Sequence, residues 1–149
     1  FLDLIALSAP IGILLGSVSN FINSELYGRE TDIFWSVKFI LVDNVNRHPS
    51  QLYEAVFEGL VLFIILNLIN KKKELVSGNI SALFLIFYSF FRFFIEFTRE
   101  PDAQLGFVMM SFTMGQLISV FTLLAGIYLY YLSYGKSNFC KRVTCKTIR

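Results

Sequence analysis

A single histidine, two cysteines and a formal net charge of only +2 remove several classes of chemistry before any pattern is sought. The charge gives no electrostatic support to nucleic-acid binding, and no basic patch is interleaved with aromatics in the manner of RNA-binding surfaces. No cluster of histidines or carboxylates has ligand spacing, so no metal is called for and no cofactor is implied. Cys140 and Cys145 lie in a short basic tail as C-x4-C without a companion pair, and the expectation is reduced, incidental thiols. No Gly/Ser linker, low-complexity block or internal repeat divides the chain, which makes residues 1–149 a single domain. No charged leader or cleavage site precedes the first apolar run, so that run does not read as a signal peptide. The chain opens on Phe1 rather than Met, and the expectation is a fragment with further helices on its N-terminal side.

What is abundant points one way. Hydrophobic residues make up 55%, with 17 Phe and 7 Tyr, and the mean hydropathy is +0.61. Those values lie outside the range of a soluble globular domain. Four segments, about 4–22, 50–70, 75–98 and 108–134, approach the roughly 20 residues that cross about 30 Å of hydrocarbon. The expected fold is all-α: a polytopic transmembrane bundle of about four spans with a periplasmic arm or head segment. Lys71, Lys72 and Lys73 sit between the second and third spans, and Lys136, Lys141, Arg142, Lys146 and Arg149 follow the fourth. Because short cytoplasmic loops are enriched in Lys and Arg, both places are expected inside, including the basic tail 135–149. Residues 23–49 and the turn 99–107 then lie outside. The Tyr-rich stretch IYLYYLSY, 127–134, fits an aromatic belt at the inner interface. The connection 23–49 is partly apolar (DIFWSVKFILVD) and is expected to lie on the bilayer surface or form an arm with some strand or short helix, with Trp35 as an interfacial anchor. Gly78 and Asn79 mark a turn before the third helix.

Polar residues recur on these helices at helical spacing. Tyr88, Arg92, Glu96 and Arg99 in YSFFRFFIEFTRE stand at i, i+4, i+8 and i+11, one face of a helix. If Arg99 marks the outer interface, Arg92 sits about 10 Å deeper at 1.5 Å per residue. A guanidinium there costs about 2.5 to 3.5 kcal/mol and needs a partner or a ligand. In RHPSQLYEAVFEGL, Pro49 suits a helix start, and Gln51, Glu54 and Glu58 share a stripe in which Glu58 is the deepest carboxylate. Mutual pairing of Arg and Glu explains both rows whether or not a substrate touches them. Near the first span, Asn20 and Asn23 precede Glu25, Tyr27, Gly28 and Arg29. Amides and a bidentate Arg can hold phosphate or glycerol oxygens, while a capped helix end at the interface explains the same residues.

At these residues a resemblance enters. NFINSELYGRETD is similar to the signature of the bacterial prolipoprotein diacylglyceryl transferases, Gly-Arg-x-Gly-Asn-Phe-x-Asn-x-Glu-x-x-Gly. RHPSQLYEAVFEGL, YSFFRFFIEFTREPDAQLGF and MGQLIS agree as well and follow in the family's order. The likeness reaches to about residue 134 and corresponds to the C-terminal part of a seven-span bundle with a periplasmic head. It implies transfer of the diacylglyceryl group of phosphatidylglycerol to the lipobox cysteine thiol of a prolipoprotein, in the bacterial inner membrane, with the site on the periplasmic side. By the resemblance Arg92 is the phosphate clamp and Glu96 its orienting neighbour. Asn20, Asn23, Glu25, Gly28, Arg29, Tyr88 and Glu58 are then lipid-binding candidates.

Two departures accompany the match. Ser17 stands where the family has a functional arginine, and Ser19 replaces a glycine. The family's Gly- and His-containing motif belongs to the N-terminal part, and His48, before Pro49, reads as an interfacial capping residue rather than a general base. A decayed remnant that keeps the bundle therefore stands beside the transferase. A transporter would also use paired intramembrane charges, but it predicts polar residues through the full membrane thickness, and LFIILNLI and LISVFTLLAGI are nearly all apolar.

Overall fold

The structure is a computed structural model that describes residues 1–72, 77–100, 107–109 and 112–147. Lys73, Arg149 and most of the expected turn 99–107 lie outside these residues. Helix α1 (Leu2–Ile22) leads into an arm whose strands β1 (Val37–Lys38) and β2 (Asn46–Arg47) pair antiparallel, Val37 opposite Arg47. The next helical stretch has three parts: α2 (Ser50–Glu54), a π-helical segment (Ala55–Val61) and α3 (Leu62–Lys72). Helix α4 (Asn79–Ile95) follows, then the antiparallel strands β3 (Phe107–Met109) and β4 (Phe112–Thr113), then α5 (Met114–Thr147).

Among the described residues three helices are long and apolar enough to cross a membrane: Leu2–Ile22, Ser50–Lys71 and Met114–Ser133, of 21, 22 and 20 residues. Helix α4 has 17 residues, about 26 Å at 1.5 Å per residue, and is shorter than the segment 75–98. It starts after Gly78, whose φ of +96° only glycine adopts without strain, and the chain leaves the helix at Glu96. The apolar run before residue 114 pairs as β3 and β4 instead of opening the last helix at 108. At its other end α5 runs on to Thr147, so the basic tail is largely helical backbone.

Helices α4 and α5 pack along each other most extensively, and α1 lies against the π segment, α2 and α4. Gly59 makes the α1 contact possible, because a Cβ there would stand 2.7 Å from the Leu14 Cβ. At the opposite end Asp3 ties α1 to the start of α4: its carboxylate accepts from the backbone N–H of Gly78 (2.6 Å) and Ser81 (2.8 Å) and from the Ser81 hydroxyl (2.7 Å). A carboxylate on the free N–H groups of a helix start satisfies them and complements the helix dipole. The apolar core is thin, centred on Leu62, Leu66, Ile80 and Ala82. Leu4, Leu15, Phe121 and Tyr131 are each at least 64% exposed, an arrangement that hydrocarbon solvates and water does not.

Candidate functional site

The two polar rows meet. Gln51, Glu54 and Glu58 are all buried, Glu54 and Glu58 against Arg92 of α4 and Gln51 against the backbone of Glu25. Arg92 of α4 donates to Glu54 Oε1 at 2.6 Å and stands 3.7 Å from Glu58 and 3.6 Å from Glu96. Arg99 reaches the same Glu54 oxygen at 3.0 Å. A buried carboxylate shared by two arginines compensates charges that neither helix could hold alone. The Oε1 of Glu58 accepts no hydrogen bond among the described residues.

This cluster forms one wall of a cavity of about 490 Å³ bounded by α1, the α2–π stretch, α4 and α5. Arg92, Arg99, Glu54, Glu58 and Tyr88 face Asn20 and Ser17 across it, with Ser119 and Thr122 from α5. Ser17 is 5% exposed and lines the space directly. Glu96 sits behind Arg92. A Cβ on Gly115 would stand 2.5 Å from its carboxylate, so glycine lets α5 begin against it.

The residues 20–29 divide. Asn20 lines the cavity, whereas Asn23 and Glu25 are exposed and do not. The Asn23 N–H caps α1 on the Ser19 carbonyl, and the Glu25 carbonyl accepts from Gln51 Nε2 at 2.6 Å. Ser24 and Leu26 adopt φ of 58° and 55°, folding the chain back so that Leu26 reaches the cavity. Gly28 is buried at a seam with the end of α4. Its N–H donates to the His48 carbonyl, it pairs with Arg99 as an isolated bridge, and any Cβ would overlap His48 and Thr98. Arg29 extends that seam through its N–H to Thr98 and its Nε to the Arg99 carbonyl, 2.9 Å each. Gly28 and Arg29 therefore hold the segment that carries Arg99 rather than lining the cavity. His48 lies beside Tyr53, its Nδ1 3.3 Å from the phenol, and burial lowers its pKa below 6.5.

Sequence reasoning placed Glu54 on the right stripe but not at the centre of the charge cluster, put Arg99 on the charged face as the mark of the outer interface rather than as a site residue, and assigned no role to Gly115 or the α5 hydroxyls. Gly115, Ser119 and Thr122 stand at i, i+4 and i+7, a spacing that carries the signal.

The family model described as prolipoprotein diacylglyceryl transferase matches residues 1–132. The chain is 47% identical over 139 residues to the phosphatidylglycerol–prolipoprotein diacylglyceryl transferase of Campylobacter lari, covering 93% of this chain and 50% of that protein. It is 54% identical over 129 residues to that of Rickettsia felis (85% and 50%) and 51% over 125 residues to that of Geobacter sulfurreducens (84% and 48%). The chain spans about half the length of the curated relatives it matches. With the match running through α1, the arm and α4 into α5, this chain belongs to the prolipoprotein diacylglyceryl transferase family.

Proposed function

We propose that this chain carries the lipid-headgroup side of a diacylglyceryl transferase, which moves the diacylglyceryl group of phosphatidylglycerol to the lipobox cysteine of a prolipoprotein. The observation that carries the reading is a half-buried guanidinium, Arg92, that lines a 490 Å³ cavity among the apolar helices. In the reaction the cysteine thiolate attacks the glycerol carbon, an S–C bond forms, the C–O bond to phosphate breaks, and glycerol phosphate leaves with the electron pair. Negative charge grows on the phosphate, and a fixed cation in a dry site stabilises it most.

In this reading Arg92 takes the phosphate and Arg99 assists from the mouth. Glu54 and Glu96 fix Arg92's orientation, and Tyr88, Asn20 and the α5 hydroxyls offer hydrogen bonds to the glycerol. Glu58, Asn23, Glu25, Gly28 and Arg29 support the cavity or its rim. The membrane arrangement belongs to the same proposal: a multi-pass protein of the bacterial plasma membrane, the tail cytoplasmic and the cavity open to the periplasm. The arm would rest on the outer leaflet through Trp35, whose Nε1–H donates to Tyr53 at 2.7 Å, and through the exposed Phe34, Ile40 and Leu41.

One observation favours the decayed remnant instead. Two arginines face three glutamates in the cluster, and Ser17 adds no charge, so phosphate must share Arg92 with Glu54. The test is complementation in cells depleted of their own transferase, with the chain alone or joined to the N-terminal half of an intact relative. Lipidation of a prolipoprotein in either arm, abolished by Arg92→Ala, supports the transferase. An inserted, stable chain that fails in both arms and is rescued by Ser17→Arg in the joined form supports the remnant.

A further inference from the structure

What holds the carboxylate of Glu96 is the first turn of α5. Thr113 and Gln116 cap that turn reciprocally: the Thr113 N–H donates to Gln116 Oε1 at 3.1 Å, and the Gln116 N–H donates to Thr113 Oγ1 at 3.3 Å. This is the Thr-x-x-Gln form of the capping box, which satisfies free N–H groups of the helix start. The box uses the hydroxyl oxygen only as an acceptor and leaves its proton free for another partner. Here Thr113 and Gln116 are 4% and 3% exposed, and the hydroxyl donates to Glu96 Oε1 at 2.9 Å. A carboxylate facing a guanidinium offers only acceptors, so the direction of this bond is set. The other oxygen, Oε2, accepts no hydrogen bond among the described residues and stands 3.6 Å from Arg92 Nη2. The chain of contacts therefore runs from the α5 backbone through Thr113 and Glu96 to the guanidinium. Gly115, packed on the same carboxylate, leaves it no room to swing toward α5.

We infer that Thr113 is a positioning residue for Arg92: its hydroxyl fixes the rotamer of Glu96, and Glu96 sets one face of the guanidinium toward the cavity. The kinetic part of this inference rests on the transferase reading above. Thr113 does not line the cavity and acts through Arg92, whose orientation counts most as negative charge grows on the phosphate, so its effect belongs chiefly in turnover.

Three substitutions in the form of the protein that lipidates separate positioning from simple helix capping. Thr113→Val keeps the shape and deletes the hydroxyl. We expect kcat to fall about tenfold, the scale of one lost hydrogen bond to a charged group, with KM within about twofold. Thr113→Ser restores the hydroxyl and is expected to recover turnover. Thr113→Asp is the sharpest of the three when assayed at a pH high enough to ionise both carboxylates, since at lower pH the pair would share a proton: ionised, it keeps a strong cap for the Gln116 amide but cannot donate to Glu96. It should fall at least as far as Val. A silent Val, or an Asp that turns over normally while Val is impaired, overturns the inference in favour of capping alone. If Asp fails to fold, Val against Ser still decides. The second readout needs no turnover: the rate at which phenylglyoxal modifies Arg92 in the purified, reconstituted protein, followed by mass spectrometry. It should rise in Val and stay unchanged in Ser, and equal rates in all forms overturn the inference. Should the unsubstituted protein lipidate nothing, the transferase reading fails for this chain, while the modification rates still judge Thr113.

Discussion

Two arginines in this protein each face three carboxylates, and they do different work. Arg47 in the arm stands 2.8 Å from Asp43, 3.3 Å from Glu100 and 3.5 Å from Glu30. Arg92 in α4 faces Glu54, Glu58 and Glu96 at 2.6, 3.7 and 3.6 Å. The partners of Arg47 are 30 to 67% exposed at the side chain, whereas those of Arg92 are 2 to 9% exposed. Water and salt can replace each partner of Arg47, and neither can reach those of Arg92 easily. Arg47 is also closed off, stacked 4.8 Å from the Tyr27 ring and donating to the Gly28 carbonyl. Arg92 has an open side. An identical count of charges thus makes a closed fastening in one place and, in the proposed reading, a binding site in the other; access and dielectric decide which.

Three experiments press on that contrast. The largest effect is expected from Arg92→Ala, which leaves Glu54 and Glu58 buried without their main counter-charge. Breaking a buried pair costs about 3 to 5 kcal/mol, so the melting temperature in detergent should drop clearly. Lipidation in the complementing form should fall by 10² to 10³ or about that order, the scale of a lost charge-stabilising donor. Arg47→Ala should cost only about 1 to 2 kcal/mol and leave lipidation within about threefold, because its partners stay solvated. If Arg47→Ala matches Arg92→Ala in turnover, the contrast between the two hubs is wrong.

The smallest effect concerns pH and is confined to the arm. The guanidinium of Arg47 holds the Asp43 carboxyl below its ordinary 3.8, and burial holds His48 below 6.5. For Asp43 the depressed pKa is stability present at neutral pH and lost as pH falls through the folded value; for His48, neutral in both states at high pH, acidification below 6.5 imposes the cost of charging a partly buried ring. The arm should therefore loosen in two acid stages, a mild one below pH 6.5 and a second below 3.8. Trp35 is the only tryptophan and is bonded to Tyr53, so its emission reports the arm alone. A shift toward longer wavelength on acidification, with the first stage absent in His48→Gln, is the expected result.

Much of this was legible in the chain. Apolar length reveals α1 and the α2–α3 stretch, and the spacing of Tyr88, Arg92, Glu96 and Arg99 places one charged face. Three things were not legible. The end of α4 at Ile95 depends on a tertiary pairing, Gly28 against the residues after the helix, which no local pattern encodes. The strands before Met114 are apolar and read as a continuation of a span, because periodicity in a short apolar run does not separate strand from helix. Among the signature residues, sequence spacing treats Asn20 and Asn23 as neighbours on one face. The helix ends between them, so Asn20 stays in the cavity and Asn23 turns to solvent.

The π segment Ala55–Val61 has its own consequence. Glu54, Glu58, Leu62 and Leu66 lie at steps of four and are 5%, 1%, 0% and 0% exposed. In a uniform α-helix each such step overshoots a full turn by about 40°, and the row would wind off the bundle. In the wider i→i+5 turn a step of four falls short of a full turn, which cancels that drift. The segment therefore acts as a phase correction of one residue, letting a polar N-terminal half and an apolar C-terminal half share a single face. Wound as a uniform α-helix, the same residues would carry Leu62 and Leu66 about 100° off their present face while Glu54 stayed in place; removing one residue from the segment would straighten the helix and leave both leucines where they are.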